Sequence, residues 1–404
     1  MPPALKVIGR IAAGLVIALA LTATIVPRFM DRIYYRGVVS DHFGGERFFN
    51  PDGDADTGAP GGGRANFFWN QLTGRDARPP WPARVPVRPS KPLALVEGDR
   101  MVATWVGHAT VLVQTAGLNI LTDPVWSEHA GPFGLGPRRV AAPGIAFDDL
   151  PRIDVVVVSH NHYDHMDVAT LKRLWDRDRP RIVTAHGNDA ILRAAGIEAR
   201  GADWGDHLYL VDGRLTDNPP PLPCASGDAF CGYPSINPVR NHHWSSRWFV
   251  DRNRALWSAF VIRTRAGAIF FAGDTGLGDG KWPAEAARLG PIRLALIPIG
   301  AFRFAPGQMS SGSHIGPVQA VEVFRGTGAT TAIPIHWGTF RLSYEGYQTP
   351  PRLLAAATRC AGVSGFAPVQ IGRAVEVPPV RATRAVVSVD VTRCLNTPTV
   401  RALR

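Results

Sequence analysis

The stretch VVVVSHNHYDHMD, residues 155–167, crowds three histidines and two aspartates behind a run of valines. Imidazole and carboxylate are the ligands that a borderline cation such as zinc prefers, and no thiolate accompanies them. His160 and His162 stand two apart, so in extended chain they face the same side and can share one ion. Asp164 and His165 follow where the chain bends and can reach a second ion. Three more predicted strands end in a polar residue that a core would not want. They are PVRNHHW with His242 or His243, IFFAGDTG with Asp274, and AIPIHWG with His336. One such residue is an ordinary satisfied polar group. Four strand ends doing the same thing point to a metal centre, since function collects where strands give way to loops. A carboxylate such as Asp274 can bridge two cations through its two oxygens.

The elements that would position these residues follow from periodicity. MVATWVGHATVLVQTAGLNILTDP, from Met101, reads as a hairpin-like pair of strands with its turn at AGLN. IDVVVVSH is a continuous buried strand, and DVATLKRLWDR has helical spacing at Val168, Leu171, Leu174 and Trp175. Strands recur at RIVTAH, ALWSAFVIRT, GAIFFAGD, LALIPIG and TAIPIHWG. Helices recur at NDAILRAAG, WPAEAARLG, GPVQAVEVFRGTG and PPRLLAAATRCAG. Strands first, then strand and helix mixed, predict an α/β or α+β sandwich.

SHNHYDH with FFAGDTG and IHWGTF resembles the metallo-β-lactamase superfamily. The ordered set TWVGHATVLVQ, LTDPVWS, GPRR, DLPRIDVVVVSHNHYDHMD, HHWSSR, WSAFVI, FFAGDTGLG, LIPIGAF and PIHWGTF is similar to N-acylphosphatidylethanolamine-hydrolysing phospholipase D and its bacterial relatives. The resemblance spans roughly residues 42–375. It implies an αββα sandwich, two packed mixed β-sheets flanked by helices. It also implies two zinc ions per chain, although iron or manganese suits the same ligands. His160, His162 and His243 would hold one ion, Asp164, His165 and His336 the other, and Asp274 would bridge. His243 is preferred to His242 because the family motif places His directly before Trp. His108, in WVGHAT, matches a position just outside the metal ligands. His314, in GSHIGPVQA, matches a histidine near the substrate head. Asp164 would also orient the nucleophile, and His314 or a metal-bound water would protonate the leaving group. The ions would lower the pKa of a shared water and supply hydroxide for attack on a phosphodiester.

The implied function is a phospholipase D-like phosphodiesterase acting on N-acylphosphatidylethanolamine or a related phospholipid. The alternatives are a hydrolase of a lactone or soluble phosphodiester on the same fold, and a non-catalytic metal-binding envelope protein. A class-B β-lactamase is disfavoured, since such enzymes generally lack the HWGTF and WVGHAT patterns.

The rest of the chain bears on where this chemistry happens. LKVIGRIAAGLVIALALTATIVPRFMDR carries Lys6 and Arg10, then an uncharged apolar run from Ile11 to Val26 closed by Pro27 and Arg28. It fits a secretory signal or an uncleaved signal anchor. ALA and TAT are candidate cleavage sites, but neither has a clean polar region after it, which favours the anchor. Residues 1–30 are therefore expected to be anchor or signal, 31–98 an extended Pro/Gly-rich lead-in, 99–375 the catalytic domain and 376–404 a tail. The net charge of +11 comes from Arg scattered along the chain and suits an anionic membrane surface or substrate. No helix-turn-helix, zinc-finger or RNA-binding aromatic pattern occurs, so nucleic acid is not an expected partner. The expected location is the bacterial cell envelope, with the catalytic domain in the periplasm; the oligomeric state stays open. Four cysteines in such a chain predict disulfides, with Cys224–Cys231 the first candidate. The Pro-rich stretch 212–240 reads as an insertion. The aromatic islands at 66–70 and 244–249 are candidate membrane contacts.

Overall fold

The computed structural model describes residues 3–55, 57, 78–221, 232–248, 250–304, 308–380 and 396–403. Two seven-stranded sheets form its centre. The first contains β1 (Met101–Gly107), β2 (Thr110–Thr115), β3 (Leu118–Thr122), β4 (Val155–Val158), β5 (Arg181–Ala185), β6 (Arg200–Ala202) and β14 (Ala374–Glu376). Its order is β14-β1-β2-β3-β4-β5-β6, antiparallel up to β3 and parallel from there to β6. The second contains β7 (Leu208–Val211), β8 (Arg214–Thr216), β9 (Ser235–Val239), β10 (Ala259–Thr264), β11 (Gly267–Phe271), β12 (Ile292–Pro298) and β13 (Thr331–Ile335). Its order is β13-β12-β11-β10-β9-β7-β8, with only β11, β12 and β13 mutually parallel.

The period-two alternation of each strand builds the layers. Val155 and Val157 of β4 join Ile269 and Phe271 of β11 and Leu294 and Leu296 of β12 in the core between the sheets. Val156 and Val158 face the other way, onto Leu171 and Leu174 of α2 (Val168–Asp178) and Leu192 of α3 (Asn188–Ala194). On the opposite side, Phe270, Ala295 and Ile297 pack under α4 (Trp282–Ala287), α5 (Pro317–Thr327) and α6 (Thr349–Cys360). A strand covered on both faces has no polar side to spare, which is why VVVV is continuous. The result is the expected αββα sandwich of two mixed sheets flanked by helices.

Two local expectations need correction, and a third segment carries strands that its composition did not announce. The segment from Met101 forms three strands, not a hairpin pair, because a second tight turn falls at Gly107-His108, where φ is +135° and +52°. The stretch 212–240 contributes β8 and all of β9 to the second sheet. Pro238 is tolerated in β9 because β7 pairs only with Ser235 and Ile236, leaving Pro238 no ladder bond to make on that side. The apolar helix α1 (Pro3–Met30) runs on through Pro27, whose ring keeps a helical φ and whose carbonyl still accepts the Asp31 amide at 2.9 Å. Lys6–Met30 is long and apolar enough to cross a membrane, with a mean hydropathy of 2.0 and no buried share.

Cys360 is disulfide-bonded, whereas Cys224, Cys231 and Cys394 lie outside the described residues, as does the aromatic island at 66–70.

The lead-in has little regular structure, yet it docks. Phe43 and Phe48 are buried against Ala185, Leu256 and Trp257. His42 beside them bonds Asp41 through Nδ1 at 2.6 Å and Asp203 through Nε2 at 2.7 Å, and stacks on Trp204. Burial alone would lower its pKa; the two carboxylates outweigh burial and raise it. A raised folded-state pKa stabilises fully below the unfolded value, about 6.5, and the contribution is lost as pH rises through the folded value. Denaturant melts of wild type and His42→Gln are therefore expected to differ most near pH 6 and to converge at higher pH. A gap that widens with rising pH would contradict this.

Candidate metal centre

Every candidate metal ligand follows a strand, whereas His314 lies just before α5. His160 and His162 leave β4, and Asp167 then caps α2 by accepting the Thr170 amide at 3.2 Å, so the HNHYDH turn is pinned at both ends. His243 follows β9, Asp274 follows β11 and His336 follows β13. Asp274 comes directly after Gly273, at φ +60°, where a Cβ would sit 2.7 Å from the Ser159 Cβ. His108 and His336 themselves hold φ of +52° and +63°, a strained region for non-glycine residues that the surrounding fold must enforce.

The structure brings all of these side chains together. His160, His162 and His243 offer ligand atoms within 4.8 Å of one another, as do His108, Asp164, His165 and His336, and also His243, Asp274 and His314. His242 turns away, with Nδ1 on Asp52 at 2.9 Å. One Asp274 oxygen, Oδ2, lies 3.0 Å from Nε2 of both His165 and His336, while Asp164 Oδ2 lies 3.5 and 3.4 Å from the same atoms. These buried nitrogens approach carboxylate oxygens without hydrogen-bond alignment, and Nε2 of His243 and Oδ1 of Asp274 have no partner either.

The outer nitrogens are held by oxygens. His165 Nδ1 meets Asp123 Oδ2 at 2.6 Å, His243 Nδ1 meets the Ser313 carbonyl at 3.0 Å and His160 Nδ1 meets Ser159 Oγ at 2.9 Å. A carbonyl only accepts, so His243 carries its proton on Nδ1 and presents the Nε2 lone pair inward. Outer oxygens that fix the tautomer in this way are what metal-binding imidazoles need. The donor set and the orphaned inner atoms therefore fit one or two divalent cations.

The charge balance agrees. Burial, reinforced by neighbouring imidazoles, pushes His160, His162 and His243 well below the usual histidine range, so they are neutral and able to ligate. Burial would raise Asp164 and Asp274, but the adjacent imidazoles, His165 foremost, hold both well below the ordinary carboxylate value. Burial would lower His165 and His336, yet Asp274 and Asp164 raise both, His336 to about 9. Protons there balance two buried carboxylates in the position a cation would take.

His108 and His314 differ from each other. His108 Nε2 lies 2.9 Å from Asp164 Oδ2, and burial with His336 lowers its pKa to about 3; it is a neutral donor that orients Asp164. His314 Nδ1 lies 3.8 Å from Asp274 Oδ2, and burial lowers it to about 4, so it too is neutral at pH 7.

Two participants were missed in the sequence. Asp123, fully buried at φ +29° just after β3, also accepts the Ser159 amide at 2.7 Å and hydroxyl at 2.6 Å. It stands in LTDP at a strand end, so the rule that found Asp274 would have found it. Asn50, in the lead-in, donates to the His243 carbonyl at 2.8 Å, and nothing in its surroundings signals that role.

A two-sheet sandwich with this histidine and carboxylate cluster at its strand ends is the architecture of the metallo-β-lactamase superfamily, a group of metal-dependent hydrolases. The chain belongs to it: a family model described as a β-lactamase superfamily domain matches residues 118–337, just over half the chain. An N-acyl-phosphatidylethanolamine-hydrolyzing phospholipase D of Caenorhabditis elegans is 34% identical over 62% of this chain and 68% of its own. A mitochondrial protein of that description from Saccharomyces cerevisiae is 28% identical over 64% of this chain and 52% of its own. A solved structure described as a possible metal-dependent hydrolase, from Veillonella parvula, has a TM-score of 0.51 at 13% identity. It covers 69% of this chain and 100% of its own, and it bears on the fold alone.

Proposed function

We propose that residues 99–375 form a binuclear zinc phosphodiesterase of the phospholipase D type, acting on N-acylphosphatidylethanolamine or a related bilayer phospholipid. His160, His162 and His243 would hold one ion, Asp164, His165 and His336 the second, and Asp274 would bridge. The observation that carries this reading is the set of inward, unpartnered imidazole nitrogens and carboxylate oxygens whose outer atoms are already fixed. The 34% identical phospholipase D supports the substrate class. Bound zinc would supply Lewis acidity towards the phosphoryl oxygens and activate a water for attack.

The chain's own residues do the rest. His108 holds Asp164 so that one carboxylate oxygen can orient the attacking water. That water's oxygen bonds to phosphorus as the phosphorus–oxygen bond to the head group breaks, and the proton the water gives up ends on the departing oxygen, which leaves as the alcohol. His314, neutral and beside Asp274, is placed to donate a hydrogen bond to the departing oxygen. The products are phosphatidic acid and an N-acylethanolamine. With α1 as an anchor the site would work at the envelope membrane, facing the periplasm.

The test is turnover by the full-length protein in vesicles, offered N-acylphosphatidylethanolamine and separately a chromogenic soluble phosphodiester. Metal-dependent release of phosphatidic acid is expected. Turnover of the soluble ester alone would reject the lipid substrate and move the assignment to a small-molecule hydrolase on the same fold, since fold does not dictate substrate.

A further inference from the structure

We propose that α1 is retained and clamped to the loop carrying His243, so that a rim of Phe133, Leu135, Trp248 and Val250 sits in the bilayer surface. The clamp begins at the residue after the helix. Asp31 accepts Arg254 Nε at 2.7 Å and Nη2 at 2.8 Å, and Arg47 Nη2 at 2.8 Å. Three residues on, Tyr34 donates to Asp251 Oδ2 at 3.0 Å. Asp251 Oδ1 in turn accepts the Ser246 hydroxyl at 2.7 Å and the amides of Arg247 and Trp248 at 3.0 and 2.8 Å. Arg247 Nη1 then donates to the carbonyls of Asn161 at 3.1 Å and Met166 at 2.8 Å, on either side of the His162–His165 turn. Hydrogen bonds thus run without a break from the end of α1 to the candidate metal centre. A tether needed only for localisation would require none of them.

Trp248 and Val250 of the rim belong to that loop, whereas Phe133 and Leu135 lie on the connection between β3 and β4, where the Phe133 ring meets Trp248. Phe133 is 85% exposed and Leu135 65%. Phe133 is held outward at φ +57°, with its ring 6.0 Å from that of Trp248. Beside Phe133 and the metal-site turn lies a cavity of about 360 Å³, bordered by Pro132, Phe133, Tyr163, Met166 and Arg247. An apolar rim in water is costly, and a bilayer is the occupant the neighbourhood favours. The rim is tied to a helix apolar enough to cross a membrane, and Arg28, Arg32 and Arg36 are exposed around the exit point, where anionic head groups would meet them.

The turnover part of the test rests on the function proposed above; the depth part does not. Full-length protein in phosphatidylcholine–phosphatidylglycerol vesicles with brominated acyl chains reports tryptophan contact with lipid by quenching. The expected result is a quenched component that disappears in Trp248→Phe and weakens in both the Phe133→Asp/Leu135→Asp and the Asp31→Ala/Tyr34→Phe variants. Turnover of vesicle lipid should fall about tenfold in both double variants, and soluble phosphodiester turnover should be unchanged in Phe133→Asp/Leu135→Asp. Quenching that is identical in wild type and Trp248→Phe, or a mature chain whose first residue lies beyond Met30, would overturn the proposal. Quenching at Trp248 in a protein that cleaves neither substrate would leave this inference standing and reject the functional reading.

Discussion

Asp274→Ala is expected to lower phosphodiester turnover by about 10³-fold, the equivalent of several kcal/mol of lost transition-state stabilisation. Its Oδ2 is the atom shared by His165 and His336, each 3.0 Å away, and it groups with His243 and His314 on the other side. Alanine removes a carboxylate that stands between the two sets of imidazoles. The metal-free protein offers a second readout. Asp274 is the leading cause of the raised pKa of His336, about 9, so His336 should titrate lower in the variant. Wild-type turnover in Asp274→Ala, or an unchanged His336 titration by NMR, would show that Asp274 does not join the two halves.

Asp123→Asn should weaken metal binding about 10- to 100-fold, the range typical of losing an outer partner of a ligating histidine. Asp123 faces three donors, from the Ser159 amide, the Ser159 hydroxyl and His165 Nδ1. An amide has one acceptor oxygen, and its NH₂ would oppose one of those donors. His165 would then lose the bond that keeps Nε2 inward. Isothermal titration with zinc measures the loss, and thermal unfolding of the metal-free protein separates it from a general loss of stability. Unaltered affinity would mean that His165 is held by packing alone.

The candidate ligand set was legible because its chemistry is written at strand ends. A four-valine strand that stops at HNHYDH leaves little choice about where the histidines go, and alternation along β4, β11 and β12 sets the layers. Other features depend on contacts between residues far apart in the chain. Asn50 reaches His243 across 193 positions, and Asp31 reaches Arg254 across 223. No local pattern encodes such pairs, so the lead-in read as a linker when it helps to hold the site. Only the end of β9 was read, at PVRNHHW, because a proline such as Pro238 argues against a strand unless the partner on its amide side is known to be missing. His108 was obscured for the opposite reason. A strand-like sequence ran through it, and only tertiary packing forces the left-handed turn there. Asp123 could have been read, since it obeys the strand-end rule in the same way as Asp274.

The most direct measurement is the number and position of metal ions in the full-length protein, by elemental analysis and anomalous diffraction at the zinc edge. Two ions per chain are predicted, one among His160, His162 and His243, the other among Asp164, His165 and His336, with Asp274 between them. A zinc-supplemented protein that binds no ion at these residues, or binds a single ion elsewhere, would contradict the account.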